Sequence, residues 1–269
     1  MSLFQSVFLG LIQGLTEFLP VSSSAHLVIV QHFLPGFKEP GLLYDILLHI
    51  GTTSAACIYF RKELKGIICS LLKFDDKSEE MLNYRKLAYM VFLGSIPTAI
   101  IGLAFKNAFE SMFGSPVDAA WQLLITAALL WMADRAPSAR QHIKEMTWGK
   151  AVIIGTAQGI AIVPGISRSG STIAAGIFCK LDRDLSARYS FLLLIPAVFG
   201  ATILEARHLV DMTQSSGNPA SLLAGVLTAF VIGYYTIDIL LRATRQKRLS
   251  YFAYYCAAFG LISLAVLLF

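Results

Sequence analysis

Arg168 lies in an otherwise apolar stretch, 151–179, on a polar break that reads Pro164-Gly165-Ile166-Ser167-Arg168-Ser169-Gly170-Ser171-Thr172. Proline and glycine stop a helix, so the stretch divides into two arms, 151–163 and 171–179. Neither arm reaches the ~20 helical residues that cross a bilayer core. Few folds accept such a stretch. Irregular backbone at membrane depth survives only where protein or a wet cavity surrounds it, which predicts a re-entrant hairpin. An arginine at that depth costs about 3 kcal/mol or more unless an anion meets it. The break offers such an anion four hydroxyls, one guanidinium and a row of backbone N–H groups.

Composition says that the surroundings are membrane. The 269 residues are 56% apolar and 14% charged, against about 25% charged in soluble domains. No loop is long enough for a separate soluble domain. Six apolar runs are long enough, or nearly so, to cross: 41–60, 87–105, 119–133, 188–205, 220–241 and 251–269. A further region, 2–34, is broken at Leu19-Pro20-Val21-Ser22-Ser23-Ser24, much as 151–179 is. The start of the chain has no charged n-region, so no removable signal is expected. Cys57, Cys69, Cys179 and Cys256 lack metal-ligand spacing and read as buried small hydrophobes.

Positive charge orders these pieces. If both broken regions return to the side they entered, the loops 61–86, 134–150, 180–188 and 242–250 share one face. They carry seven, four, three and four Lys or Arg. The positive-inside rule makes that face cytoplasmic and both termini external. The expected fold is an all-α polytopic membrane protein, an inverted-topology repeat of six transmembrane helices plus two re-entrant helical hairpins. It forms a single integral membrane domain, 1–269, with repeat halves 1–135 and 147–269. The echo of Gly10, Gln13, Gly14 and Ser22 in Gly155, Gln158, Gly159 and Ser167 supports a repeat. The Ile-Pro pairs at 96–97 and 195–196 do not, because they fall in non-equivalent spans.

Chemistry concentrates at the two breaks. Gln13 and Glu17 are four apart and share a helix face, and a carboxylate in an apolar run is a functional candidate. The plainer reading of Glu17 is a structural ion pair with Arg168. Ser22, Ser23 and Ser24 suit the N-cap of the following arm. A helix N-terminus there would also turn orphan N–H groups toward a phosphate. His26 lies in the first turn of the same arm, close to Ser23, and becomes a catalytic candidate. At the second break Arg168 can grip phosphate oxygens bidentately. Ser167, Ser169, Ser171 and Thr172 can donate, and Gly165 and Gly170 permit close backbone approach. No Walker-type loop is present. Asp45 and His49, and Asp238 and Arg242, have the spacing of local i,i+4 pairs.

These residues resemble a known family. Gln13-xxx-Glu17 followed by Phe-Leu-Pro-Val-Ser-Ser-Ser-Ala-His26, together with the box from Pro164 to Thr172, is similar to the undecaprenyl-diphosphate phosphatase (bacitracin-resistance) family. Leu48-His49-Ile50-Gly51-Thr52, Leu181-Asp182-Arg183, Ser190 to Pro196 and Phe252 to Tyr255 extend the likeness over nearly the whole chain. The resemblance implies hydrolysis of undecaprenyl diphosphate at the bacterial inner membrane, recycling the lipid carrier for peptidoglycan. It also implies a divalent cation, Mg²⁺ or Ca²⁺, and a site opening to the outer side. Carried over by motif, Glu17, Ser23, His26 and Arg168 are catalytic, with Glu17 also the metal ligand. Gln13, Ser22, Ser24, Gly165, Ser167, Ser169, Gly170, Ser171 and Thr172 are expected to bind substrate. The expected partners are the lipid substrate and the phospholipid membrane, with no nucleic acid and a homodimer left open. Departures are Gln13 in a Glu/Gln position, Ala25 for the usual Gly and Cys256 where Arg is common.

Three assignments of the attack stay open at this level: Ser23 with His26 as base, His26 itself, or a water that His26 activates. The same scaffold also suits a secondary transporter or flippase of an anionic substrate. Transport of an anion would not need the added Glu17, Ser23 and His26. A non-catalytic scaffold would leave the buried Arg168 and Glu17 without purpose.

Overall fold

The computed structural model describes residues 1–35, 42–112, 115–137, 140–213 and 219–269. Among them there is no strand; one isolated bridge pairs Gln141 with Leu181. Helices α1 (Leu3–Thr16) and α2 (Ser23–Phe33) form the first hairpin, separated by a six-residue turn. Then come α3 (Leu42–Tyr59), α4 (Arg61–Leu72), α5 (Glu79–Ala104), α6 (Lys106–Met112) and α7 (Pro116–Arg135). The second hairpin is α8 (Trp148–Ile160) and α9 (Arg168–Phe178), followed by α10 (Arg183–Thr213), α11 (Pro219–Arg245) and α12 (Leu249–Leu268). The hairpin arms are 14, 11, 13 and 11 residues long, short of a full crossing.

Among the described residues five helices are long and apolar enough to cross a membrane: α5, α7, α10 as far as Leu204, α11 and α12. The run at 41–60 folds as α3, whose 18 residues extend about 27 Å. The outward faces of the long helices are apolar, with Phe92, Ile100, Trp121, Ile125, Ile203, Leu227 and Ile262 more than half exposed. Hydrocarbon is the solvent such a surface suits.

One stretch differs from the sequence reading. The basic segment 61–86, expected as a solvated loop, contains α4 and the first turns of α5. Local contacts explain it. Gly66 lets α4 lie directly against the Tyr84 ring. Arg85, buried, donates to the carbonyls of Ser70, Lys73 and Asp76. Ser70 is an orphan acceptor of the α4 end and Lys73 and Asp76 belong to the turn that follows, so one arginine ties the helix end to its turn. The guanidinium also lies 4.2 Å from the Phe74 ring centroid.

Corresponding contacts recur at two helix crossings. α1 packs along α11 so tightly that a Cβ on Gly10 would run into the Gly225 carbonyl. α8 packs along α5 in the same way, with Gly155 against the Gly94 carbonyl. Beside the first crossing Tyr44 Oη donates to the Ser6 carbonyl at 2.8 Å; beside the second, Tyr189 Oη donates to that of Met90 at 2.6 Å. Gly10 and Gly155, Gln13 and Gln158, Ser22 and Ser167, and Tyr44 and Tyr189 are all separated by the same number of residues.

The core gathers beneath the two hairpin turns. Phe18, next to Glu17, is fully buried and meets Phe191 edge to face at 5.4 Å. It packs in one cluster with Ile173, Ala174 and Ile177 of α9. An aromatic pair of this geometry contributes about 0.5–1.5 kcal/mol beyond the area it buries. The turn of one hairpin is thereby fixed against the second arm of the other.

Candidate active site

Each hairpin turn ends in a serine N-cap. Ser22 Oγ accepts the Ala25 N–H at 3.4 Å and Ser167 Oγ accepts the Gly170 N–H at 3.1 Å. Ser22 holds φ at +65°, a backbone state that costs a non-glycine residue on the order of 1–3 kcal/mol and collects at functional sites. The first helical residues after the caps are Ser23 and Arg168. Both reach the same carboxylate, so the two N-termini open on one place.

That carboxylate is Glu17, the C-cap of α1 and 4% exposed. Its Oε1 accepts Arg168 Nη2 at 2.7 Å. Its Oε2 accepts the Ser23 hydroxyl at 2.6 Å and the Gln13 amide at 3.0 Å. His49 Nδ1, from α3, lies 3.3 Å from the same Oε2 and 3.1 Å from Gln13 Nε2. A buried carboxylate needs this many donors to stay ionised. The guanidinium is less complete: Arg168 Nη1 is buried and has no hydrogen-bond partner. An unpaired cationic N–H inside a protein calls for an anion.

The remaining polar residues hold the turns or line them. Ser169 Oγ donates to the Leu19 carbonyl at 3.2 Å and tethers the second turn to the first. Ser22 and Ser24 hydroxyls lie 3.2 Å apart at the start of α2. Gly165 has φ at +104°, and a Cβ there would strike Ala119 O and Gln122. A Cβ on Gly170 would press on Ser167 at 3.1 Å. Ser171 is buried, its N–H on the Ser167 carbonyl at 2.8 Å. Thr172, expected to face phosphate, instead commits its hydroxyl to the Arg168 carbonyl at 2.8 Å and to Ser190 at 2.5 Å.

His26 is placed differently from a base for Ser23. Its Nδ1 lies 2.8 Å from the Ser22 carbonyl, and its Nε2 lies 2.8 Å from Tyr255 Oη. Its ring stacks on Phe259 with centroids 4.4 Å apart. Both nitrogens are thus taken, and the hydroxyl of Ser23 belongs to Glu17. Sequence spacing put His26 and Ser23 in one helical turn but could not show the aromatic wall that α12 supplies. It equally understated His49. Spacing along α3 suggested Asp45 as its partner, whereas the fold brings Glu17 to its Nδ1 and gives Asp45 the side chain of Gln31 at 2.9 Å. Asp238 and Arg242 do pair, at 2.5 Å.

A divalent cation can be tested against these atoms. Among the described residues no group of three His, Cys, Asp or Glu could hold a metal ion. Glu17 already receives donors on both oxygens. Next to it, however, Gln13 Oε1 is buried without a partner. One carboxylate and one free amide oxygen make no cage, but they fit a cation that brings waters and phosphate oxygens with it, as Mg²⁺ commonly does.

The chain is similar to known proteins over almost its full length. Residues 6–262 match the family described as "Bacitracin resistance protein BacA". A protein of Desulforapulum autotrophicum named "Undecaprenyl-diphosphatase" is 41% identical over 98% of both chains. One of the same name from Desulfosudis oleivorans is 44% identical over 97% of both. Another, from Methanosphaera stadtmanae, is 38% identical over 98% of both.

Proposed function

The chain belongs to the bacitracin resistance protein BacA family, and on that premise we propose that it hydrolyses undecaprenyl diphosphate to undecaprenyl phosphate and inorganic phosphate through Ser23, Glu17 and Arg168. One observation carries the assignment of the site: the Ser23 hydroxyl and the Arg168 guanidinium sit on opposite oxygens of a single buried carboxylate. A nucleophile, its base and an anion-binding cation are then one hydrogen-bonded unit.

In this reading the terminal phosphate docks on Arg168 Nη1, which is free to donate while Nη2 keeps Glu17. The N-terminal amides of α2 and α9 face the same anion. Ser23 Oγ attacks the terminal phosphorus. Its proton passes to Glu17 Oε2, the new Oγ–P bond forms and the bond from phosphorus to the bridging oxygen breaks. Undecaprenyl phosphate leaves with that oxygen. Water then cleaves the serine phosphate and restores the hydroxyl. Phosphoryl transfer needs mainly positioning and charge stabilisation, which the buried cluster provides. A divalent cation, held by Glu17 and Gln13 Oε1, would neutralise diphosphate charge. His26, fixed by Ser22, Tyr255 and Phe259, shapes the wall beside Ser23. Ser22, Ser24 and the N-terminal amides of α2 and α9 form the phosphate cradle, and Ser167, Ser169, Gly170 and Ser171 hold its shape.

The loop charges support a site that opens to the outer side of the bacterial cytoplasmic membrane, with both termini external. Transport of an anion through the same scaffold is the weaker reading, since it gives the 2.6 Å contact between Ser23 and Glu17 nothing to do. Pure protein in detergent micelles is expected to release phosphate from undecaprenyl diphosphate, and a transporter would release none. A chelator is expected to suppress that release, and added Mg²⁺ or Ca²⁺ to restore it. The melting temperature of the substrate-free protein should not move with chelator, because the cation arrives with the diphosphate.

A further inference from the structure

The arginine that grips the anion stands on the second hairpin turn, yet part of what fixes that turn comes from another helix. Thr126 lies in the middle of α7 and is fully buried. Its Oγ1 donates to the Gly165 carbonyl at 3.0 Å and accepts the Ser167 N–H at 2.9 Å. One hydroxyl thus bridges both sides of Ile166, in the turn that ends at the α9 N-cap. Neither backbone group joins the helical ladder of α8 or α9. The same turn carries the positive φ of Gly165, whose missing Cβ lets α7 approach through Ala119 O and Gln122. Backbone and hydroxyl together seat the turn on α7.

We propose that Thr126 is a positioning residue for Arg168. It does not touch the reacting atoms. By pinning Gly165 and Ser167 it sets where the α9 N-terminus starts, and with it the place of the guanidinium against Glu17 and the bound phosphate. Ser169, tied to the Leu19 carbonyl, fixes the same segment against the first hairpin, so the turn is held from two sides. Thr126 determines how far it sits from α7. A phosphate-binding group displaced by about 1 Å loses up to about 100-fold in rate. A valine at 126 keeps the shape and removes both bonds, whereas a serine keeps both.

This inference rests on the phosphatase reading above, and the experiment separates the two. Purified full-length wild type, Thr126→Val, Thr126→Ala and Thr126→Ser are compared for phosphate release from undecaprenyl diphosphate, each also with Arg168→Lys. Melting in detergent and gel filtration report the folded fraction. Per folded molecule, Thr126→Val and Thr126→Ala should lose about 10–100-fold in kcat, and Thr126→Ser should stay within about twofold of wild type. In the Arg168→Lys background Thr126→Val should cost less than about threefold, since a lysine is a point charge that does not need the orientation of a planar fork. Wild-type kcat in folded Thr126→Val or Thr126→Ala overturns the proposal, as does an equal loss in both backgrounds. No release by wild type would instead refute the phosphatase reading itself.

Discussion

Arg168→Ala is expected to lower phosphate release by about 10³-fold or more, with KM raised and kcat reduced together. A guanidinium that stabilises charge on a transferring phosphoryl group contributes about 10³–10⁵ in rate elsewhere. Here the same side chain also supplies binding, through the unpartnered Nη1. Both kinetic constants should therefore move. Removing one partner of a buried pair costs about 3–5 kcal/mol where the other is left alone. Glu17 is not left alone. It keeps the Ser23 hydroxyl, the Gln13 amide and the nearby His49 ring. The variant should therefore insert and fold, with a lowered melting temperature in detergent. Near-normal turnover in folded Arg168→Ala would remove the anion site from this place.

Glu17→Gln is expected to have an effect of similar size on kcat and an opposite one on binding. The glutamine amide preserves the shape of the carboxylate but cannot take the proton of Ser23, and loss of a positioned base costs about 10²–10⁴-fold. Substrate is an anion, and the substitution removes a negative charge 2.7 Å from Arg168. With Mg²⁺ saturating, so that a weakened cation site does not limit binding, KM should stay level or fall. Steady-state kinetics over a range of substrate then gives two contrasting patterns from residues that touch one another: kcat and KM both impaired for Arg168, kcat alone for Glu17. A rise in KM with unchanged kcat in Glu17→Gln would mean that the carboxylate only arranges the pocket.

Much of this site was legible before any coordinates. Ser23 stands out as an N-cap candidate and through the family motif. Arg168 and Glu17 stand out because a charge is costly in an apolar surrounding, and cost at membrane depth is visible in one dimension. The hairpin turns were marked by Pro20, Pro164 and Gly165 for the same kind of reason. The N-cap of α2 is legible in Ser22, Ser23 and Ser24 from residue type and position, whereas Ser167, expected as a phosphate donor, caps α9. What spacing could not give was partnership across helices. His26 and Ser23 are neighbours on α2, yet His26 turns to Tyr255 and Phe259 of α12. His49 reaches Glu17 from α3, and Thr126 reaches the second turn from α7. A threonine within an apolar span gives no sign of its importance, because its hydroxyl can always satisfy itself on its own helix, as Thr156 does on Val152. The helix α4 was missed through its lysines, which hid a helix end that Arg85 satisfies from α5.

The central claim is that Ser23, held by Glu17, makes the attack. Rapid quenching of the wild-type enzyme with undecaprenyl diphosphate labelled in its terminal phosphate tests it most directly, with the labelled residue located by peptide mapping. The account predicts label on Ser23, none in Ser23→Ala, and turnover in that variant reduced at least about 100-fold. Label on His26, or an unlabelled Ser23→Ala enzyme that still turns over at close to the wild-type rate, would contradict it.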